Sequence, residues 1–174
     1  AMAKTTEQIL DILATYPATH DAACRTLPPD AYTDAGLYNL EVEKIFKREW
    51  VLIGRANDIP KRGDWFAFQI LDDPLLIVRG EDDVIRAFSN ICRHRYMPVM
   101  LEERGNARHF SCSYHRWTYG TDGKLVGAPL MEGSLAFDKA QCALPAYRLE
   151  IWQGFIFIHL TLISTSNNFM HGSK

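Results

Sequence analysis

Cys92 and His94, then seventeen residues, then Cys112 and His115: this C-x-H and C-x-x-H pair constrains the chain more than any other feature. Each short clip offers one thiolate and one imidazole. A tight loop can aim both side chains of a clip at one centre. Two such loops side by side supply two sulfurs and two nitrogens. Two kinds of metal centre accept that set. One is a tetrahedral zinc with two cysteines and two histidines. The other is a [2Fe–2S] cluster with both cysteines on one iron and both histidines on the other. Zinc modules with these ligands commonly pair like with like, cysteines first and then histidines on a helix. Here each clip mixes the two, in β-like sequence. The mixed order suits two adjacent irons, each drawing one ligand from each loop.

The rest of the chain can support such a site without disulfides. A chain of 174 residues buries roughly 70% of the surface its unfolded form exposes. A composition 47% hydrophobic and 23% charged argues against disorder, collagen and coiled coil. The net charge of −2 supplies no overall basic field for nucleic acid. No apolar run reaches the ~18 residues of a membrane span, and no secretion signal is visible. A cytoplasmic location is therefore expected. Without a secretion signal, four cysteines are a better metal clue than a disulfide framework. Cys24 and Cys142 read as free, buried thiols.

The chain changes texture at Trp50. Residues 1–50 read as a helical lead-in. Thr5 with Gln8 three residues later is a capping box ahead of Ile9, Leu10, Ile12 and Leu13, and Pro17 stops that helix. A second helix is expected from Leu37 to Trp50, after a loop containing Pro28, Pro29 and Gly36. Residues 51–160 alternate short apolar runs with turn residues, which indicates a mainly β domain. Strands are expected at 50–55, 64–70, 75–79, 84–89, 108–112, 116–119, 144–151 and 155–160. Gly120 to Gly123 reads as a hairpin turn. Residues 161–174 read as a loose tail.

With the ligand clips placed, a wider likeness emerges. The chain resembles the N-terminal Rieske domain of Rieske non-haem iron oxygenases of the aromatic-ring-hydroxylating type, within the alpha subunit. The likeness includes Phe46 to Ile53 (F-K-R-E-W-V-L-I), Asp64-Trp65-Phe66, the block Phe88 to Arg95, and Cys112 to Gly123 (C-S-Y-H-R-W-T-Y-G-T-D-G). It continues through Leu144-Pro145 to the run Trp152 to Ile158. The resemblance implies an antiparallel β-sandwich with a cluster-binding subdomain, preceded by N-terminal helices. It implies a Rieske-type [2Fe–2S] cluster on Cys92, His94, Cys112 and His115. The family often has glycine where this chain has Tyr96, and again where it has Arg116. The Rieske proteins of cytochrome complexes carry an extra cysteine in each ligand loop, and neither Cys24 nor Cys142 stands there.

The ligand set has a redox consequence. Two ferric ions and two sulfides leave a double positive charge, which two thiolates cancel. Four thiolates would leave a dianion, which is harder to reduce. Histidine ligation therefore raises the potential, to roughly −150 to +300 mV against about −400 mV for plant-type ferredoxins. The free nitrogen of each imidazole can hydrogen-bond or titrate. The resemblance places the histidine side near the surface, as the electron's exit.

Around the ligands, Trp117 is expected to pack beneath the loops and Arg95 to lie beside the centre. Ordinary core packing is an equal reading for Trp117. Arg93, Arg95, Arg104, Arg108 and Arg116 gather in this region with only Glu102 and Glu103 opposing them, and could steer an acidic ferredoxin. Solvated side chains are the equal alternative. His20 and His171 fall in expected loop and tail, and His159 reads as structural. His109 with His115 loosely resembles a fragment of a mononuclear iron site, but His115 already belongs to the second clip.

Rieske oxygenases carry out their chemistry at a 2-His-1-carboxylate iron, which the family places in a larger C-terminal domain. No Asp/Glu-x-x-His-x₄-His spacing occurs in this chain, so no catalytic residue is assigned. The expected role is electron carriage. A ferredoxin or reductase would be the donor and an oxygenase catalytic domain the acceptor, in a homotrimer in the full-length context. The chain is then a fragment, a truncated product, or the partner of a separate catalytic chain. The alternatives are a stand-alone Rieske ferredoxin and a structural zinc module that binds a partner. The substrate class is not legible.

Overall fold

The computed structural model describes residues 3–16, 26–131, 133, 134 and 136–163. Pro17, His20, Cys24, His171 and the expected tail from 164 onward lie outside the described residues. The chain divides into two compact units, Ala1–Glu49 and Trp50–Lys174. No described helix is long and apolar enough to cross a membrane.

In the first unit, helix α1 spans Thr6–Ala14. Its start carries the expected capping box: the Gln8 N–H donates to Thr5 Oγ1, and the Thr5 N–H donates to Gln8 Oε1. Helix α2 begins earlier than expected and spans Ala35–Glu41, so Gly36 is helical rather than looped. Asp34 sets this start by accepting from the Leu37 N–H at 2.7 Å. The same carboxylate accepts from the Thr6 hydroxyl at 2.7 Å, tying α1 to the entrance of α2. Past Glu41 the helix widens into a π-turn over Val42–Phe46, so regular α-helix stops short of Trp50.

The second unit is mainly β, as expected. Seven antiparallel strands form one sheet. They are β1 (Val51–Arg55), β2 (Asp64–Ile70), β3 (Asp73–Arg79), β4 (Ile85–Ser89), β5 (Arg104–Asn106), β9 (Ala146–Trp152) and β10 (Phe155–Leu162). Their spatial order is β1-β10-β9-β4-β3-β2-β5. A smaller sheet joins β6 (His109–Ser111), β7 (Thr118–Gly120) and β8 (Leu125–Gly127) in that order. The large sheet curls on itself: a Cβ on Gly54 of β1 would lie 3.0 Å from the Phe66 ring of β2, although four strands lie between them in the sheet order.

Strand β3 explains why the unit has two cores. Leu75, Leu76, Ile77 and Val78 are all fully buried. Side chains alternate across a strand, so Leu76 and Val78 join Cys92, Cys112, Trp117 and Tyr119. Leu75 and Ile77 join Ile53, Ile156 and Ile158. A strand buried on both faces needs an unbroken apolar run. Each such side chain contributes about 1.5–3 kcal/mol of burial. Strand β3 also starts earlier than expected, taking in Asp73 and Pro74. The reversal is tighter, with Leu71 in the left-handed region at φ 52 and Ile70 paired with Asp73. At the far end β10 continues through Leu162, so the first residues of the expected tail are strand.

The Gly120–Gly123 turn is a hairpin, closed by the Gly120 N–H to the Lys124 carbonyl at 2.9 Å. Gly123 has φ +80, and a Cβ there would sit 2.5 Å from the buried Phe88 ring. Gly123→Ala should therefore cost roughly 2–5 kcal/mol, combining left-handed strain with overpacking. Urea unfolding measures it; a loss below about 0.5 kcal/mol, the scale of a neutral surface change, contradicts this account of the turn.

Candidate metal centre

Two six-residue loops carry the four expected ligands. The first, Cys92 to Met97, follows β4; the second, Cys112 to Trp117, joins β6 to β7. Their backbones are closed in the same way. The Cys92 N–H donates to the Met97 carbonyl at 2.8 Å and the Tyr96 N–H to the Cys92 carbonyl at 3.0 Å. The Cys112 N–H donates to the Trp117 carbonyl at 2.9 Å and the Arg116 N–H to the Cys112 carbonyl at 3.0 Å. The fifth residue of each loop is left-handed, Tyr96 at φ 58 and Arg116 at φ 60. Glycine takes this conformation freely, whereas a side chain there costs roughly 1–2 kcal/mol. That accounts for the glycines expected at these two positions.

The loops are anchored differently. The second is the end of a hairpin, with Ser111 paired to Thr118. The first has only the isolated bridge Ile91 to Pro98. The buried Asn90 amide adds two rungs, accepting from the Met100 N–H at 2.9 Å and donating to the Met100 carbonyl at 2.8 Å.

Among the described residues no three His, Cys, Asp or Glu side chains form a single-ion site. The four expected ligands sort into two pairs instead. Cys92 and Cys112 are 1% and 2% exposed, inside the core with Leu76, Trp117 and Tyr119. They are near enough to influence each other: burial pushes the Cys112 thiol up, and proximity to Cys92 adds to it. His94 and His115 are half-buried at the rim, with ring centroids 4.6 Å apart at 77°. Each pair takes one residue from each loop.

His94 is held in place from the inside. The Trp117 indole, 4% exposed, stacks on its ring at 4.8 Å with planes 8° apart. Phe137 backs that indole at 5.4 Å. Burial, then the neighbouring His115 and Arg95, hold the His94 imidazole below its ordinary pKa. His94 Nδ1 is a buried polar atom with no hydrogen-bond partner. Such an atom calls for an explanation. A neutral, partnerless imidazole nitrogen beside a second imidazole fits a metal ligand.

Tyr119 is the residue that sequence reasoning missed. It is fully buried on β7, and its hydroxyl oxygen lies 3.4 Å from Cys92 Sγ. That oxygen accepts from the Arg93 N–H at 3.0 Å, leaving the phenolic hydrogen free for the sulfur. Burial, then the contact with Cys92, raises its pKa far above the ordinary range, so it remains a donor. Only the fold reveals it: β7 turns Tyr119 inward, where a buried tyrosine needs a partner for its hydroxyl.

The remaining candidates fall outside the group. Arg95 is exposed beside His94, and Arg93, Arg108 and Arg116 are also exposed. Arg104 lies on β5 and His109 on β6, both exposed. His159 packs edge-on against Trp50 at 5.7 Å and its Nδ1 accepts from the Thr161 N–H. Cys142 is a free, half-buried thiol packed against the core around Cys92.

Comparison with known proteins agrees with this geometry. Residues 49–148 match the Rieske [2Fe–2S] domain. The chain is 40% identical over 139 residues to the biphenyl dioxygenase alpha subunit of Metapseudomonas furukawaii, covering 75% of this chain and 30% of the relative. It is 41% identical over 138 residues to the benzene 1,2-dioxygenase alpha subunit of Pseudomonas putida, covering 79% and 31%. Among solved structures, the naphthalene 1,2-dioxygenase from Rhodococcus sp. superposes with a TM-score of 0.70 at 37% identity, over 74% of this chain and 30% of that one. A quaternary ammonium Rieske monooxygenase superposes at 0.71 with 30% identity, over 78% and 40%. The chain thus spans about a third of the length of these relatives. It belongs to the Rieske [2Fe–2S] domain family, in the form found in Rieske oxygenase alpha subunits.

Proposed function

We propose that this chain holds a Rieske [2Fe–2S] cluster through Cys92 and Cys112 on one iron and His94 and His115 on the other. It serves as the electron-transfer domain of an oxygenase system, loaded by a ferredoxin or reductase and discharged to a mononuclear iron on an oxygenase catalytic domain. The observation that carries this reading is the sorting of the four side chains: sulfurs paired inside, imidazoles paired at the rim, with His94 Nδ1 unpartnered. A two-iron group needs two ligand pairs, whereas a tetrahedral zinc needs four ligands on one point. When bound, the group supplies reversible one-electron chemistry.

The chain's own residues set its surroundings. Cys92 and Cys112 lie among Leu76, Val78, Trp117 and Tyr119, which exclude water from the sulfur side. Trp117 fixes the plane of His94. The histidine rim lies nearer to solvent, where a redox partner can approach. Metal and sulfide analysis tests the reading. Iron and acid-labile sulfide in equal amounts, about two of each per chain, agree with it. Stoichiometric zinc in a colourless protein contradicts it.

Tyr119→Phe gives a finer check. A hydroxyl hydrogen bond to Cys92 Sγ stabilises the more negative, reduced state. Its loss should lower the potential by roughly 40 mV, equivalent to about 1 kcal/mol for one electron. An unchanged or raised potential in a redox titration removes Tyr119 from this role.

A further inference from the structure

We propose that Phe137 is a positioning residue for the cluster: through Trp117 it keeps water from the inner face of His94, and so holds the reduction potential down. The inference rests on the proposed function and adds a residue outside both ligand loops that sets the redox behaviour of the site. Three rings are layered in depth. His94 lies against Trp117 at 4.8 Å with planes 8° apart, and Trp117 lies against Phe137 at 5.4 Å with planes at 56°. Trp117 is 4% exposed, whereas Phe137 is half-buried. Among the described residues, Phe137 is therefore the outer layer on this side of the imidazole.

Beyond that layer lies a cavity of about 510 Å³. Phe137 lines it with Thr118, Ala128 and Met131, while Arg116 and Lys139 bring charge to its wall. Trp117 does not line it, although its neighbours Arg116 and Thr118 both do. One water needs only about 10–15 Å³ of such space and a few polar partners, which this wall supplies. Phe137 thus meets water space on one side and the ring stacked on a ligand on the other.

The backbone fixes the ring in this place. Turn bonds run from the Met131 N–H to the Ala128 carbonyl, from the Ser134 N–H to the Met131 carbonyl and from the Phe137 N–H to the Ser134 carbonyl, at 3.1 to 3.3 Å. Directly afterwards the Asp138 carboxylate accepts from the Ala140 N–H at 2.9 Å and opens the 3-10 turn Lys139–Cys142. Lys139 Nζ donates to the Val126 carbonyl of β8 at 3.3 Å. Phe137 is held from both sides.

The consequence is electrostatic. A centre with two thiolates and two neutral imidazoles is uncharged when oxidised and carries one negative charge when reduced. Water beside it stabilises the charged, reduced state, and solvent exposure is one of the levers on the potential of such clusters. Keeping water out therefore disfavours reduction.

Two variants test it. Phe137→Ala removes the ring and joins the cavity to Trp117. Phe137→Leu keeps most of the bulk. Both are read in the cluster-loaded chain, by redox titration and by pulsed EPR of the reduced protein in D₂O, which detects exchangeable deuterons near the spin. Phe137→Ala should keep its iron, strengthen the deuteron coupling and favour reduction at least about threefold, an upward shift of about 28 mV at about 59 mV per decade. Phe137→Leu should match the wild type in both readouts. A merely structural role would lower stability and move neither. An alanine variant whose potential is unchanged or lower, whose deuteron coupling is unchanged, or which loses its iron overturns the inference and leaves the proposed function standing. A leucine variant that behaves like the alanine variant also overturns it. A wild type without the spectrum of a [2Fe–2S] protein overturns both.

Discussion

Cys92→Ala should yield a protein that is folded and colourless. Cys92 is one of two sulfurs assigned to the same iron, and it is 1% exposed. Among the described residues no third cysteine is placed to replace it: Cys142 is half-buried at the end of a 3-10 turn and packs against that core. Iron content should fall from about two per chain to near zero. Fold retention follows from the rest of the packing. The second core, around Ile77, Ile156 and Ile158, does not include the ligand loops. Losing one sulfur atom from the first core costs on the order of 1 kcal/mol of packing. Far-ultraviolet circular dichroism alongside iron analysis checks both halves. An intact chromophore in the variant would place the ligands elsewhere.

His94→Cys should keep a cluster and lower its potential by roughly 100–200 mV or more. The scale comes from the gap between Rieske centres and four-cysteine ferredoxins, about 250 mV at its narrowest. One thiolate in place of one neutral imidazole adds one negative charge to the centre, about half of that change in charge. Two local effects act with it. The Trp117 ring loses its stacked partner, and the rim opens to solvent. Redox titration followed in the visible reads the shift directly. A potential equal to the wild type would contradict the charge argument.

The strongest sequence signals survived into the structure for identifiable reasons. Strand β2 has the expected bounds because the turn residues ahead of Asp64 and after Ile70 leave little room for a shift. The Leu75–Val78 run predicted a strand, and burial on both faces explains why it lacks alternation. Strand β5 was illegible. Arg104, Gly105 and Asn106 are all exposed and follow no apolar pattern; pairing with β2 alone makes them a strand. Strand β8 is a three-residue arm of the hairpin and too short for a periodicity. The start of α2 could have been read from Asp34, whose carboxylate caps Leu37.

The candidate site divides the same way. Ligand spacing singled out Cys92, His94, Cys112 and His115 as candidates, and the structure brings them together as a buried cysteine pair and a histidine pair at the rim. Trp117 beneath the loops was legible because it adjoins the second clip. Which ligands pair is a tertiary fact: it depends on two loops closing alike, and the backbone bonds of Cys92 and Cys112 show how. Tyr119 and Asn90 were missed because their roles are hydrogen bonds across the fold. Neither residue type signals such a bond in a linear sequence.

Pulsed EPR on the reduced protein, grown with ¹⁵N-labelled histidine, tests the central claim most directly. The account predicts a rhombic signal coupled to nitrogens of two histidines. It predicts that His94→Cys removes one coupling and His115→Cys the other. A signal with no histidine nitrogen coupling, or an EPR-silent protein holding zinc, would contradict it.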